Sequence, residues 1–160
     1  MHQELTVVRR EVGGPPAAAV RVRPVAPLVV RGLRVVYGPT AAVDGLDLTV
    51  EAIPMYNLTS DRLQFHEKGR GNGYVVTLGG QRVYISGDTE DIPEMRALQN
   101  IDVAFVCFNL PYTMTEAQAA SAVNEFAPRF VYPYHFQGSD VDAFAAMINE
   151  GIEVRVGGWY

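Results

Sequence analysis

The sequence has a single cysteine in its 160 residues. Cys107 therefore has no partner for an internal disulfide, and its place in the apolar run 103–108 reads as a buried structural thiol. Nor does any apolar stretch approach the roughly 20 residues that a membrane span needs. Arg9, Arg10 and the breaker Gly13-Gly14-Pro15-Pro16 interrupt the segment in which a secretory signal would lie. Together these absences point to a cytoplasmic chain without a membrane partner. Positive charge is scarce as well: 13 basic against 18 acidic residues leave a net charge of −5. Such a balance offers no broad cationic field to a polyanion and excludes nucleic acid as a partner. No Gly-x-x-x-x-Gly-Lys-Ser/Thr occurs, and the glycine-rich residues 69–73 precede a predicted strand rather than a helix, which excludes a nucleotide-phosphate loop. No internal repeat is visible.

What is present is the balance of one ordinary globular domain, 48% hydrophobic and 19% charged, with no room for a second full one. Residues 1–27, with Gly13-Gly14-Pro15-Pro16, an alanine run, Pro24 and Pro27, read as a poorly ordered lead-in. Residues 28–37 are rich in β-branched side chains, and 46–53 alternate apolar and polar, which predicts two strands around a turn at Gly38-Pro39. Residues 74–78 and 82–86 flank Gly79-Gly80, the signature of a tight hairpin. Beyond it the pattern predicts a short helix over 92–98, an interior strand over 102–108 and a helix from the cap Thr115 to Phe126. In that helix Gln118 completes a capping box, and Ala119, Ala122, Val123 and Phe126 share a face. A strand at 130–132, a helix from Ser139 or Asp140 to Glu150 closed by Gly151, and a strand at 152–156 complete the expectation.

Ser86-Gly87-Asp88-Thr89 leaves an apolar strand directly, so the Asp88 carboxylate is delivered where the chain turns. His135 leaves the strand 131–134 in the same way. An aspartate and a histidine at two strand ends of one sheet are hard-oxygen and borderline-nitrogen donors suited to zinc, manganese or iron. His66, in the loop before the hairpin, is a third donor that the glycine-rich segment 69–73 can bring to the same rim. Each has a plainer reading when taken singly: Gly-Asp-Thr as a turn or helix cap, a histidine as a solvent-exposed base. Glu90, Asp91 and Glu94 read as favourable charge at a helix N-terminus.

The joint arrangement carries more. Val50-Glu51-Ala52-Ile53-Pro54-Met55-Tyr56-Asn57, the run Phe65 to Tyr74, Arg82 to Thr89, Ile101 to Phe105, Pro111-Tyr112-Thr113-Met114 and Tyr132-Pro133-Tyr134-His135 stand in order with similar gaps. On these motifs the chain from 50 to 160 resembles the second half of the metallo-β-lactamase superfamily, in particular metal-dependent hydrolases akin to the ascorbate-phosphate lactonase group. The resemblance implies that His66 is the third-motif histidine, Asp88 the metal-bridging aspartate and His135 the last histidine ligand. It also implies a sandwich of two sheets between helices. The family's first ligand motif, His-x-His-x-Asp-His, is missing: the only other histidine is His2. One metal position is then left with His66 and Asp88 and the other with Asp88 and His135, short of the three protein ligands of catalytic zinc. The aspartate that orients the attacking water is missing too. A shorter stretch, Leu28 to Gly38 and Ala42 to Val50, is similar to the first two strands of an ABC-transporter ATPase, in which Tyr37 would be the adenine-stacking aromatic; an ordinary β-hairpin explains it equally well.

The expected fold is α/β: the C-terminal half of an αββα sandwich over 51–160, preceded by a β-hairpin over 28–50. The expected function is hydrolysis of a small ester, lactone or phosphoester by metal-activated water, with zinc (or manganese or iron) at His66, Asp88 and His135 and Asp88 as the catalytic residue, in a truncated and impaired chain. The alternatives are a non-catalytic remnant and a site completed by a partner chain. Half a sandwich leaves an apolar sheet face in need of cover, so self-association is expected.

Overall fold

The computed structural model describes residues 26–37 and 40–158. The lead-in expected at 1–27 falls almost wholly outside these residues, as does the turn expected at Gly38-Pro39. Strand β1, Leu28–Tyr37, pairs antiparallel with β2, Thr40–Met55, which pairs in turn with β3, Gly71–Leu78. The 16-residue β2 runs without a break across position 50. Between β3 and β4, Gln81–Ile85, Gly79 and Gly80 have φ of +56° and +79°. Two successive positive φ values are what a two-residue hairpin turn demands and what side chains with a Cβ resist, so the hairpin forms where the sequence predicts it.

From β4 onward each strand joins the next through a helix or helical turn. Helix α1 is Pro93–Arg96, β5 Val103–Cys107, α2 Glu116–Phe126, β6 Phe130–Tyr134, α3 Val141–Ala146 and β7 Glu153–Val154. The result is one seven-stranded sheet in sequence order, antiparallel from β1 to β4 and parallel from β4 to β7. Because β4 to β7 are added in one direction, right-handed crossovers place all three connecting helices on the same face. That face holds the core: Val75, Tyr84, Ala104, Val106 and Val131 of the sheet are buried with Met95 of α1, Phe126 of α2 and Phe144 of α3.

Thr115 caps α2 as expected, its hydroxyl accepting from the Gln118 amide at 3.1 Å while the Gln118 side chain accepts from the Thr115 amide at 3.0 Å. Helix α3 is shorter than its sequence pattern. The Asn124 side chain on α2 donates to the carbonyl of Met147 (2.9 Å) and accepts from the amide of Asn149 (2.8 Å). Backbone groups that could have continued the helix are satisfied from a neighbouring element instead. The last strand is likewise two residues rather than five. Cys107 is fully buried, and that burial pushes its thiol up to about 11, so it is protonated at neutral pH as a structural thiol should be. No helix among the described residues is long and apolar enough to cross a membrane.

Phe126 meets Tyr84 edge to face, with ring centroids 5.8 Å apart, and fastens α2 to the centre of the sheet. Phe126→Ala is expected to cost about 3–5 kcal/mol of unfolding free energy, measured by urea denaturation. A loss below about 1 kcal/mol would show that the Tyr84–Phe126 contact does not fasten the helix.

Candidate functional site

The carboxyl ends of β4 and β6 flank the end of β5, about 10 Å apart at the usual strand spacing. The turn after β4 and the turn after β6 close that gap. Nδ1 of His135 lies 2.8 Å from Oδ1 of Asp88, a hydrogen bond in the tautomer or charge state with the proton on Nδ1. Both side chains are about one-third exposed, at 39% and 32%. The backbone is bent to make the contact. His135 has φ of +48°, a left-handed conformation that costs a residue with a Cβ on the order of 1 kcal/mol. Gly87, just before Asp88, has φ of +64°, and a Cβ there would sit 2.6 Å from the Met55 sulfur. Gly73 is needed for closeness rather than for φ: its Cβ would lie 2.5 Å from the carbonyl oxygen of Ser86.

Beneath this turn the Ser86 hydroxyl accepts from the Cys107 amide at 3.2 Å and stands 3.4 Å from the Tyr134 hydroxyl. Burial pushes the Tyr134 phenol up to about 12 and raises that of Tyr84 as well. With Cys107 also protonated, the layer under Asp88 and His135 contributes neither a thiolate nor a phenolate, and the ionisable donors are the two at the rim.

His66 lies in the loop between β2 and β3. Its carbonyl accepts from the Asn57 amide at 2.8 Å, and Lys68 two residues on donates to the Tyr56 hydroxyl (3.0 Å) and to Glu94 (3.1 Å). The loop is thus tied to the same body as Asp88. The structure does not bring the His66 imidazole into a cluster with the other two: among the described residues no three His, Cys, Asp or Glu side chains are grouped closely enough to hold a metal ion. The types of donor at the rim fit zinc, manganese or iron, and their number does not fit a catalytic centre, for which zinc takes three protein ligands. No metal-borne step is therefore derived from this geometry.

One part of the site escaped the sequence reading. Glu90, expected as charge at a helix N-terminus, is fully buried instead and precedes α1 by three residues. Its Oε2 accepts from the amides of Leu58 (2.6 Å) and Thr59 (2.7 Å), and its Oε1 from Arg62 Nη1 at 2.6 Å. Arg62 also donates to the carbonyl of Thr113 at 2.8 Å. Next to Glu90, the Thr89 hydroxyl donates to the Tyr56 carbonyl (2.9 Å) and accepts from the Tyr56 amide (3.1 Å). One buried carboxylate thus joins the Asp88 turn to the start of the His66 loop and, through Arg62, to the segment before α2. Its partners lie about 30 residues away in the chain, so no local pattern announces it. Of that acidic cluster, Glu94 alone stands in the first turn of a helix, and Asp91 pairs with Arg96.

Comparison with known proteins matches residues 7–136 to the model of the beta-lactamase superfamily domain. A UPF0173 metal-dependent hydrolase of Thermococcus onnurineus is 32% identical over 129 residues, covering 75% of this chain and 55% of the relative. A crystal structure from Parabacteroides distasonis, of a protein whose name gives it as a metal-dependent hydrolase, superposes with a TM-score of 0.66 at 47% identity, covering 68% of this chain and 50% of that one. YhfI of Bacillus subtilis, a metallo-beta-lactamase fold protein, superposes with a TM-score of 0.57 over 85% of this chain and 51% of its own. At 12% identity that likeness shows the fold alone, and the sheet and helices described above are part of that fold. The chain spans about half the length of the curated relatives it matches.

Removing one member of a buried ion pair strands the other, a change that costs about 3–5 kcal/mol. Arg62→Met is expected to destabilise the chain by that amount in urea unfolding. Replacing Glu90 by Met as well should not restore stability, because the Leu58 and Thr59 amides then have no acceptor. Full recovery in the double variant would show that the carboxylate's backbone contacts carry little of the energy.

Proposed function

This chain belongs to the beta-lactamase superfamily, and we propose that it carries the aspartate–histidine part of a metal-dependent hydrolase site, with Asp88 and His135 as ligands. The observation that carries the reading is the 2.8 Å approach of these two side chains across the end of β5, held by a left-handed His135. Backbone strain of this kind persists where the surroundings over-determine it, and it concentrates at functional positions. The names of the relatives, metal-dependent hydrolases, support the same class. His66 is the proposed third donor. Its loop is tied through Tyr56, Asn57 and Lys68 to the Asp88 turn, and reorientation of its side chain is what would bring the imidazole to the rim.

In this reading the work of the chain's own residues is binding and orientation. Asp88 accepts from the Nδ1–H of His135 and fixes the ring; the Ser86 and Thr89 hydrogen bonds fix the turn that carries Asp88. Zinc is the proposed metal, with manganese or iron as the other candidates for an oxygen–nitrogen donor set. The proposed substrates are small esters, lactones or phosphoesters, on the likeness to the ascorbate-phosphate lactonase group. The proposed location is the cytoplasm, in keeping with the single buried thiol. The second reading, a chain that holds metal without turning substrate over, is favoured by one observation: only two donors converge among the described residues.

Metal content of the purified chain after loading with zinc or manganese, together with hydrolysis of a generic ester, lactone and phosphodiester, tests both readings. Zinc binding that weakens at least about tenfold in Asp88→Asn and in His135→Ala is expected. Turnover that disappears in Asp88→Asn establishes the hydrolase, whereas bound zinc without turnover establishes the second reading. Zinc affinity unchanged by both substitutions sinks the site itself.

A further inference from the structure

His66 sits on a loop whose two arms are held by different means. The incoming arm, 57–62, is fixed by a buried charge: Glu90 accepts from the amides of Leu58 and Thr59 and from the guanidinium of Arg62. The outgoing arm, 63–70, lies at the surface. Leu63 and Phe65 are exposed, and the Glu67–Arg70 ion pair stays within the arm. Gly69 turns with φ of +92° and has open space where a Cβ would stand, so neither packing nor a side-chain preference fixes the chain there. A histidine carried on such an arm keeps its place only if something close to it is fastened.

Lys68 supplies that fastening. Its ammonium lies 4.1 Å from the centre of the Tyr56 ring and donates to the Tyr56 hydroxyl at 3.0 Å and to Glu94 Oε1 at 3.1 Å. The Tyr56 hydroxyl in turn donates to Glu94 Oε2 at 2.8 Å, which closes a ring of three hydrogen bonds, each with an ionised donor or acceptor. The Lys68 side chain is 61% exposed, and an ion pair at such a site adds little to global stability. What the ring fixes is geometry. Tyr56 is buried, and its amide and carbonyl are both bonded to the hydroxyl of Thr89, the neighbour of Asp88. The residue gripped by Thr89 is therefore the residue on which Lys68 rests, and one fixed tyrosine is the common reference for the Asp88 turn and the outgoing arm. On the incoming side, the carbonyl of His66 accepts from the Asn57 amide at 2.8 Å. The histidine is thus bracketed by a backbone bond at its own carbonyl and by the Lys68 ring two residues later.

We propose that Lys68 is a positioning residue for His66: it clamps the outgoing arm to Tyr56 and Glu94, so that the imidazole is presented from one fixed backbone position. This role rests on the reading of His66 as the third donor. Lys68 acts on the site only through the arm it holds.

Amide hydrogen exchange read by mass spectrometry on the full chain, without added metal, tests the clamp. Lys68→Met is expected to speed exchange over 64–70 at least about fivefold and to leave 57–62 unchanged, because the Glu90 contacts remain. Glu94→Ala opens the same ring from α1 and is expected to do the same. Lys68→Arg is expected to restore the native rates, since a guanidinium can still donate to both partners. Zinc affinity, measured against a chromophoric chelator, tests that the clamp acts through His66. His66→Ala and Lys68→Met are each expected to weaken binding, and the double variant no further than His66→Ala alone. Native exchange rates in both Lys68→Met and Glu94→Ala overturn the proposal, as does a double variant in which the two single losses multiply. Zinc affinity that is absent or indifferent to His66→Ala sinks the third-donor reading alone, and the exchange rates then decide for or against the clamp.

Discussion

Glu90 is a carboxylate with no access to solvent, and the arrangement of the candidate site depends on how its charge is met. Two backbone amides and one guanidinium converge on it, and they come from a segment that begins right after β2. A buried charge with fewer partners would be expelled or neutralised. The segment from Tyr56 to Arg62 therefore has little freedom relative to the Asp88 turn. Tyr56 closes on Thr89 from both its amide and its carbonyl, and Asn57 hands the constraint on to the carbonyl of His66. What holds the loop is a set of hydrogen bonds to one buried anion rather than packing of large side chains, since Leu58, Leu63 and Phe65 in the same loop are exposed.

The second constraint is topological. Adding β5, β6 and β7 in one direction leaves both strand ends of interest on one rim and every helix on one side. The first consequence brings Asp88 and His135 within hydrogen-bonding distance although 47 residues separate them. The second packs one face of the sheet under α1, α2 and α3. The candidate site thus follows from the winding rule, at the edge of the sheet.

Much of this was legible in the sequence. Alternation and the Gly79-Gly80 pair located β3 and β4, and the Thr115–Gln118 capping box located the start of α2, because these signals act over a few residues and leave little for tertiary contacts to override. The shortening of α3 was not legible: its pattern continues to Glu150, and the Asn124 side chain that takes over its last backbone groups belongs to another helix. Asp88 and His135 were legible as donors at strand ends. Their mutual distance was not, and neither was the failure of His66 to cluster with them, because a loop's path depends on anchors such as Glu90 that sit far away in the chain.

By itself, then, the sequence determined the elements whose signals are local, namely hairpin, capped helix, apolar interior strands and the chemical type of the candidate ligands. Only the tertiary structure decided which of them meet. Side chains are brought together by crossovers and by buried charges seeking partners, and both act over distances along the chain that no window of neighbouring residues spans.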